Sequence, residues 1–209
     1  PPRRHLPACA GTVLIPRLAD GRPWSVRGVD FASSDIRVVF EAGVTVQALK
    51  NSTYLFACDP IADLAVMHRT RNLSLAGYGA TLRMWREDYV ARCAHSEFRM
   101  ALAIQRGSDI TIAGLTISHA GGDGLIVMGD GGKDGVDATS GLTLQDMVLD
   151  RNYRQGISVI SVRGPALRSS SLLRLVIAAP SFSPKPPRSH PSAPNRRGLL
   201  RALRSWACA

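Results

Sequence analysis

Aromatic residues are scarce, at 6% of the 209 positions. No run approaches the ~18 consecutive apolar residues that a membrane-spanning helix needs, so no membrane span is expected. The four cysteines, Cys9, Cys58, Cys93 and Cys208, contain no C-x-x-C pair, which removes zinc-ribbon and thioredoxin-type readings. Buried or free thiols are expected, and a Cys58–Cys93 disulfide requires a secreted protein. The opening Pro1-Pro2-Arg3-Arg4 has neither an initiator Met nor a signal-peptide core, so the chain reads as a fragment or a processed product. Its localisation stays open, secretion included. Acids are missing from one stretch: Pro165–Ala209 holds eight of the 26 basic residues, none of the 16 acids and seven of the 13 prolines. Much of the net charge of +10 therefore belongs to that stretch. The remainder is nearly balanced and has no basic, aromatic-rich stripe, so a nucleic-acid partner is not expected.

What the chain does have is repetition. Asp109–Gly129, DITIAGLTISHAGGDGLIVMG, aligns without a gap on Gly141–Ser161, GLTLQDMVLDRNYRQGISVIS, at an offset of 32 residues. Ile110, Ile112, Leu115 and Ile117 fall on Leu142, Leu144, Met147 and Leu149, and Gly124, Leu125 and Val127 fall on Gly156, Ile157 and Val159. Asn72-Leu73-Ser74-Leu75 precedes Asp109-Ile110-Thr111-Ile112 by 37 residues, and Asp35-Ile36-Arg37-Val38 precedes Asn72 by another 37. Second strands follow at Val44–Val46 and Ala80–Leu82, and further strands fit Val26–Phe31, Leu64–Met67 and Ala101–Ile104. Each copy alternates apolar and polar residues and is too short to bury its own apolar side. Stacking the copies as parallel strands provides that burial. The expected fold class is all-β, a right-handed parallel β-helix with about four coils visible.

This divides the chain into an N-terminal extension (1–12), the β-helix (13–164) and a Pro/Ser/Arg-rich tail (165–209), disordered or capping. Within the tail, Leu172–Ala179 offers one more strand. Two insertions interrupt the repeat. Arg83–Arg99 is polar and bears aromatics, and Asp130–Thr139 is rich in Gly and Asp. Loops on a repetitive scaffold commonly carry the binding function.

The residues Phe40-Glu41-Ala42-Gly43-Val44, Gly77-Tyr78-Gly79-Ala80-Thr81-Leu82, Gly121-Gly122-Asp123-Gly124-Leu125 and Asn152-Tyr153-Arg154-Gln155-Gly156-Ile157 resemble the pectin-lyase-like superfamily of right-handed β-helices. Gly11–Pro16 is similar to the strand that enters the first coil there. The resemblance covers roughly three-quarters of the chain and implies a carbohydrate-active protein, a polysaccharide lyase or a glycoside hydrolase. In the polygalacturonase-like members an acid precedes one strand and two adjacent acids precede the matching strand of the next coil. Asp123 takes the first place here, but Arg154-Gln155 stands where the paired acids belong, so that hydrolytic set does not carry over.

Hydrolysis of a sugar chain needs two carboxyl groups across the scissile bond, and Asp123 with Asp150 is the best pair on neighbouring coils. β-Elimination needs a base and a cation that stabilises the enolate forming beside a uronate carboxylate. His119, Arg151 and Arg154 lie in the same two turns. Asp123, Asp150 and Arg154 are thus the expected catalytic residues, and His119, Arg151, Trp85 and Arg99 the expected substrate-binding ones. Asp130, Asp134 and Asp137 offer oxygen ligands for Ca²⁺, and some lyases of the superfamily use calcium. Their spacing completes no calcium motif, and no cofactor or protein metal site is expected. The expected partner is a polysaccharide. The alternatives are a non-catalytic carbohydrate-binding or structural β-helix, or an incomplete product without activity.

Overall fold

The computed structural model describes residues 11–50, 63–129, 138–170 and 174–176. Strands β1 (Gly11–Ile15), β2 (Trp24–Val26) and β3 (Val29–Phe31) form the first coil. Strands β4 (Ile36–Phe40), β5 (Thr45–Ala48) and β6 (Ala65–His68) form the second. The third holds β7 (Arg71–Ala76), β8 (Thr81–Arg83) and β9 (Leu102–Gln105), with helix α1 (Arg86–Arg92) inserted between β8 and β9. Strands β10 (Ser108–Ala113), β11 (Thr116–Ser118) and β12 (Leu125–Met128) make the fourth coil. The fifth holds β13 (Thr139–Gln145), β14 (Val148–Asp150) and β15 (Ile157–Val159). Strands β16 (Val162–Ser170) and β17 (Arg174–Val176) then pair with β13 and β14.

Every third strand belongs to the same sheet. The three sheets run β1-β4-β7-β10-β13-β16, β2-β5-β8-β11-β14-β17 and β3-β6-β9-β12-β15, and all their pairings are parallel. This is a parallel β-helix. The described residues hold five complete coils rather than the four legible in the repeats, because the first coil is the least regular. The run expected as one strand over Val26–Phe31 breaks at Arg27-Gly28, where the chain turns from the second sheet to the third. Pairing also continues past Gly164, and β17 falls inside the stretch Leu172–Ala179.

The register of the sheets is the register of the repeats. Ile110 pairs with Leu142 on one side and with Leu73 on the other. Ile117 lies between Leu82 and Leu149, and Leu125 between Leu102 and Ile157. These ladders point inward, and their central members Ile110, Ile112, Ile117, Leu125 and Val127 are fully buried. Removing each such side chain from water contributes about 1.5–3 kcal/mol.

The corners are fixed by backbone conformation. Asp35, Asn72 and Asp109 take φ of 60°, 49° and 55° at the start of successive coils, and Gly141 takes 60° at the same place. Asp, Asn and Gly adopt this left-handed conformation at the lowest cost, which explains why each repeat opens on one of them. Asn72 Nδ2 also donates to Asp35 Oδ1 at 3.0 Å, so the side chains stack as the strands do. At the next corner Gly114 has φ +72° and lies under the ring of Tyr78, whose hydroxyl donates to Asp146 Oδ2 at 2.7 Å. A Cβ at position 114 would sit 2.5 Å from that ring.

Gly114→Ala is therefore expected to lower stability by about 1–3 kcal/mol, through left-handed strain and displacement of the ring. Denaturant melts of Gly114→Ala, alone and with Tyr78→Ala, check this. The loss should shrink when the ring is removed, and an equal loss in both backgrounds would assign it to backbone strain alone.

Candidate functional site

The chain crosses from the second sheet to the third through residues 84–101, 119–124 and 151–156 in three successive coils. The first crossing is the insertion, and it lies against the second. Acids Glu87 and Asp88 occupy the first turn of α1 and Arg92 its last, which suits the helix dipole. Tyr89 is the buried residue of the helix, and its phenol is pushed up from its ordinary pKa by burial. Gly121 and Gly122 make the seat: a Cβ at 121 would collide with Tyr89 and Arg99, and one at 122 would stand 2.6 Å from the Glu97 carbonyl oxygen. The Gly122 N–H donates to the Arg99 carbonyl at 2.9 Å. The glycine pair is thus required by close approach of the insertion.

Cys93, at the end of α1, is disulfide-bonded, which corrects the expectation of a free thiol there. Its partner lies outside the described residues, as does Cys58, the partner considered from the sequence. Asp130, Asp134 and Asp137, the calcium candidates, also lie outside them.

The second and third crossings stack through their backbones. Tyr153 N–H donates to Ala120 O at 3.0 Å, and Arg154 N–H to Gly122 O at 3.1 Å. Asp123 is 2% exposed. Its Oδ1 accepts from the Gln155 N–H at 3.0 Å, its Oδ2 accepts from the Ser158 hydroxyl at 2.6 Å, and Arg154 Nε lies 3.8 Å away. All three partners belong to the next coil, so Asp123 ties coil to coil and presents no free face. Asp150 ends β14 and pairs with Arg151 at 3.7 Å. Among the described residues the two acids share no hydrogen-bond or ion-pair partner: Asp150 belongs to a strand of the second sheet, and Asp123 lies at the end of the crossing before the third.

Arg99 and Trp85 also differ from expectation. Arg99 is 1% exposed, its Nη1 donates to Ala94 O at 2.8 Å, and its guanidinium stands over the Tyr89 ring at 5.9 Å. It is part of the packing beneath the insertion rather than of a binding surface. Trp85 is partly buried against the core, donates from Nε1 to Ala48 O at 2.7 Å and carries Lys50 over its ring at 4.5 Å. Lys50 also pairs with Asp88, so the ring is already covered by a cation.

The crossings do bring His119, Arg151 and Arg154 to one corner, together with groups from the insertion. His119 is held with φ 57° and its side chain is 12% exposed. Its Nε2 is 3.9 Å from Glu87, and its Nδ1 is buried without a hydrogen-bond partner among the described residues. Arg151 occupies the same position one coil on, with φ 51°. Arg154 is held by Asp123 and, at 3.3 Å, by Glu97 of the insertion. Sequence reasoning missed His95: its Nδ1 is 2.6 Å from the Tyr153 hydroxyl, with the rings stacked at 5.7 Å and 19°. No repeat position signals this contact, because His95 belongs to the insertion. The resulting corner offers two guanidinium groups, two imidazoles and a phenol, a donor set suited to anion recognition and proton transfer.

No family model matches the chain, and no curated protein matches it. Among solved structures, it is similar to a protein of Parabacteroides merdae ATCC 43184 named "putative glycosyl hydrolase", with 13% identity and a TM-score of 0.45. The match covers 68% of this chain and 71% of the other. At that similarity it carries no argument about activity. No helix among the described residues is long and apolar enough to cross a membrane.

Burial lowers the His119 pKa from its ordinary value. Arg83 and Arg151 also lower it, while Glu87 and Asp150 oppose the shift. The unfolded chain then takes up a proton at higher pH than the folded one, so stability falls as pH drops through and below about 6.5. His119→Gln is expected to flatten the fall in melting temperature between about pH 7.5 and 5.5. Equal slopes in variant and wild type would contradict this.

Proposed function

We propose that this protein is a carbohydrate-active β-helix that acts on an acidic polysaccharide at the corner built from residues 84–101, 119–124 and 151–156. The same reading takes the chain as a member of the pectin-lyase-like superfamily, on the residues quoted above. One observation carries it: the turn of residues 151–156 bears Arg151, within electrostatic reach of His119, and Arg154, which meets Glu97 of the insertion. Arg154 is held by two carboxylates yet is still 35% exposed. Guanidinium groups recognise sugar carboxylates through paired hydrogen bonds.

The chemistry favoured is β-elimination rather than hydrolysis. Hydrolysis requires two carboxyl groups free to work across one bond. Asp123 is buried with both oxygens engaged, and Asp150 is held by a different arginine from the one that binds Glu97. Elimination requires a cation for the substrate carboxylate and a base near the carbon beside it, and both residue types meet at this corner. The Cys93 disulfide fits an extracellular substrate, since such bonds persist outside the reducing cytosol.

Binding to a panel of neutral and uronate polysaccharides tests the proposal. Saturable, salt-sensitive binding to a uronate polymer is expected, and Arg154→Ala and Arg151→Ala should each weaken it by about tenfold or more. Unsaturated ends absorbing in the near ultraviolet mark a lyase. New reducing ends without that absorbance mark a hydrolase, and binding without turnover marks the non-catalytic alternative. Equal affinity for neutral polymers, or full affinity in both arginine variants, would sink it.

A further inference from the structure

We propose that Tyr153 and His95 are the acid–base pair that cleaves the acidic sugar chain, a role that rests on the reading of the corner given above. Tyr153 stands next to Arg154 on the turn of the fifth coil, and its backbone N–H is fixed to Ala120 of the fourth. His95 arrives on the insertion, 58 residues away in sequence, two residues after the disulfide-bonded Cys93 and two before Glu97, which holds Arg154. The rings stack, and the hydroxyl meets Nδ1 at 2.6 Å. In the neutral tautomer that carries its proton on Nε2, the phenol donates and Nδ1 accepts. A phenol becomes a working base near neutrality when a neighbour takes its proton, and the pair is built for that exchange. Two separate segments, each anchored to the scaffold, are needed to form it. An exposed hydrogen bond of this kind adds little to stability, so folding alone gives little reason for the arrangement.

The uronate carboxylate is neutralised by Arg154, which acidifies the proton on the adjacent ring carbon, C5. The Tyr153 oxygen removes that proton while its own passes to His95 Nδ1. The electron pair of the broken C5–H bond forms the C4=C5 double bond, and the C4–O4 bond breaks. The departing O4 takes a proton from Tyr153, and His95 returns its proton to the phenolate. One sugar chain becomes an unsaturated end and a hydroxyl end, the pair is restored, and no co-reactant is consumed.

Initial rates of unsaturated-end formation on a uronate polymer, with binding measured separately, test the pair. Tyr153→Phe removes the proton. His95→Gln keeps an acceptor for the phenol but accepts no proton, which separates chemistry from positioning. Each is expected to lower kcat by about 100-fold or more, with binding within about threefold of wild type and melting temperatures within a few degrees of it. Wild-type kcat in either variant overturns the pair and leaves the polysaccharide reading standing. A wild type that binds the polymer but forms no unsaturated ends does the same. A wild type that binds no uronate polymer overturns both.

Discussion

The molecule depends on inward-facing side chains stacking from coil to coil. No single coil buries its own apolar residues: Ile110 is covered by Leu73 on one side and Leu142 on the other. Parallel pairing at ~4.8 Å spacing brings like positions together, so a side chain suited to one coil suits the next. Stability in such an array is approximately a sum of coil and interface contributions. The strict register follows from the same constraint, since a slip of one residue would turn every inward side chain outward.

That regular core leaves the crossings free to differ. The crossing from the second sheet to the third is a bare turn in the fourth and fifth coils and an 18-residue insertion in the third. The insertion is kept against the scaffold by Tyr89, Arg99 and the glycine pair Gly121-Gly122. Its charged edge then faces the next two turns, where Glu97 meets Arg154 and His95 meets Tyr153. A rigid stack with a long crossing in the third coil thus concentrates polar chemistry at one corner, and Asp123 supplies the tie on which that corner rests.

The fold was largely legible in the sequence because periodicity and register are the same physical fact. The 32-residue alignment of Ile110 with Leu142 is the observed strand pairing, and the Asp or Asn that opens a repeat marks a left-handed corner. The first coil was harder to see, since β2 and β3 are three residues each and a turn separates them. The residues chosen for the site were less legible. Asp123 was found as a conspicuous acid between glycines, but sequence does not show that Ser158 and the Gln155 N–H both reach it. Arg99 and Trp85 look like surface residues in a polar loop, yet Arg99 is buried beneath the insertion and Lys50 of the preceding coil covers the Trp85 ring. His95 carries no positional signal at all, because an insertion has no counterpart in the neighbouring coils.

Nuclear Overhauser contacts between backbone protons of the full chain test the stack most directly. The account predicts a parallel pattern linking residues 110–113 with 73–76 on one side and with 142–145 on the other. An antiparallel pattern, or contacts from 110–113 to only one of those segments, would contradict it.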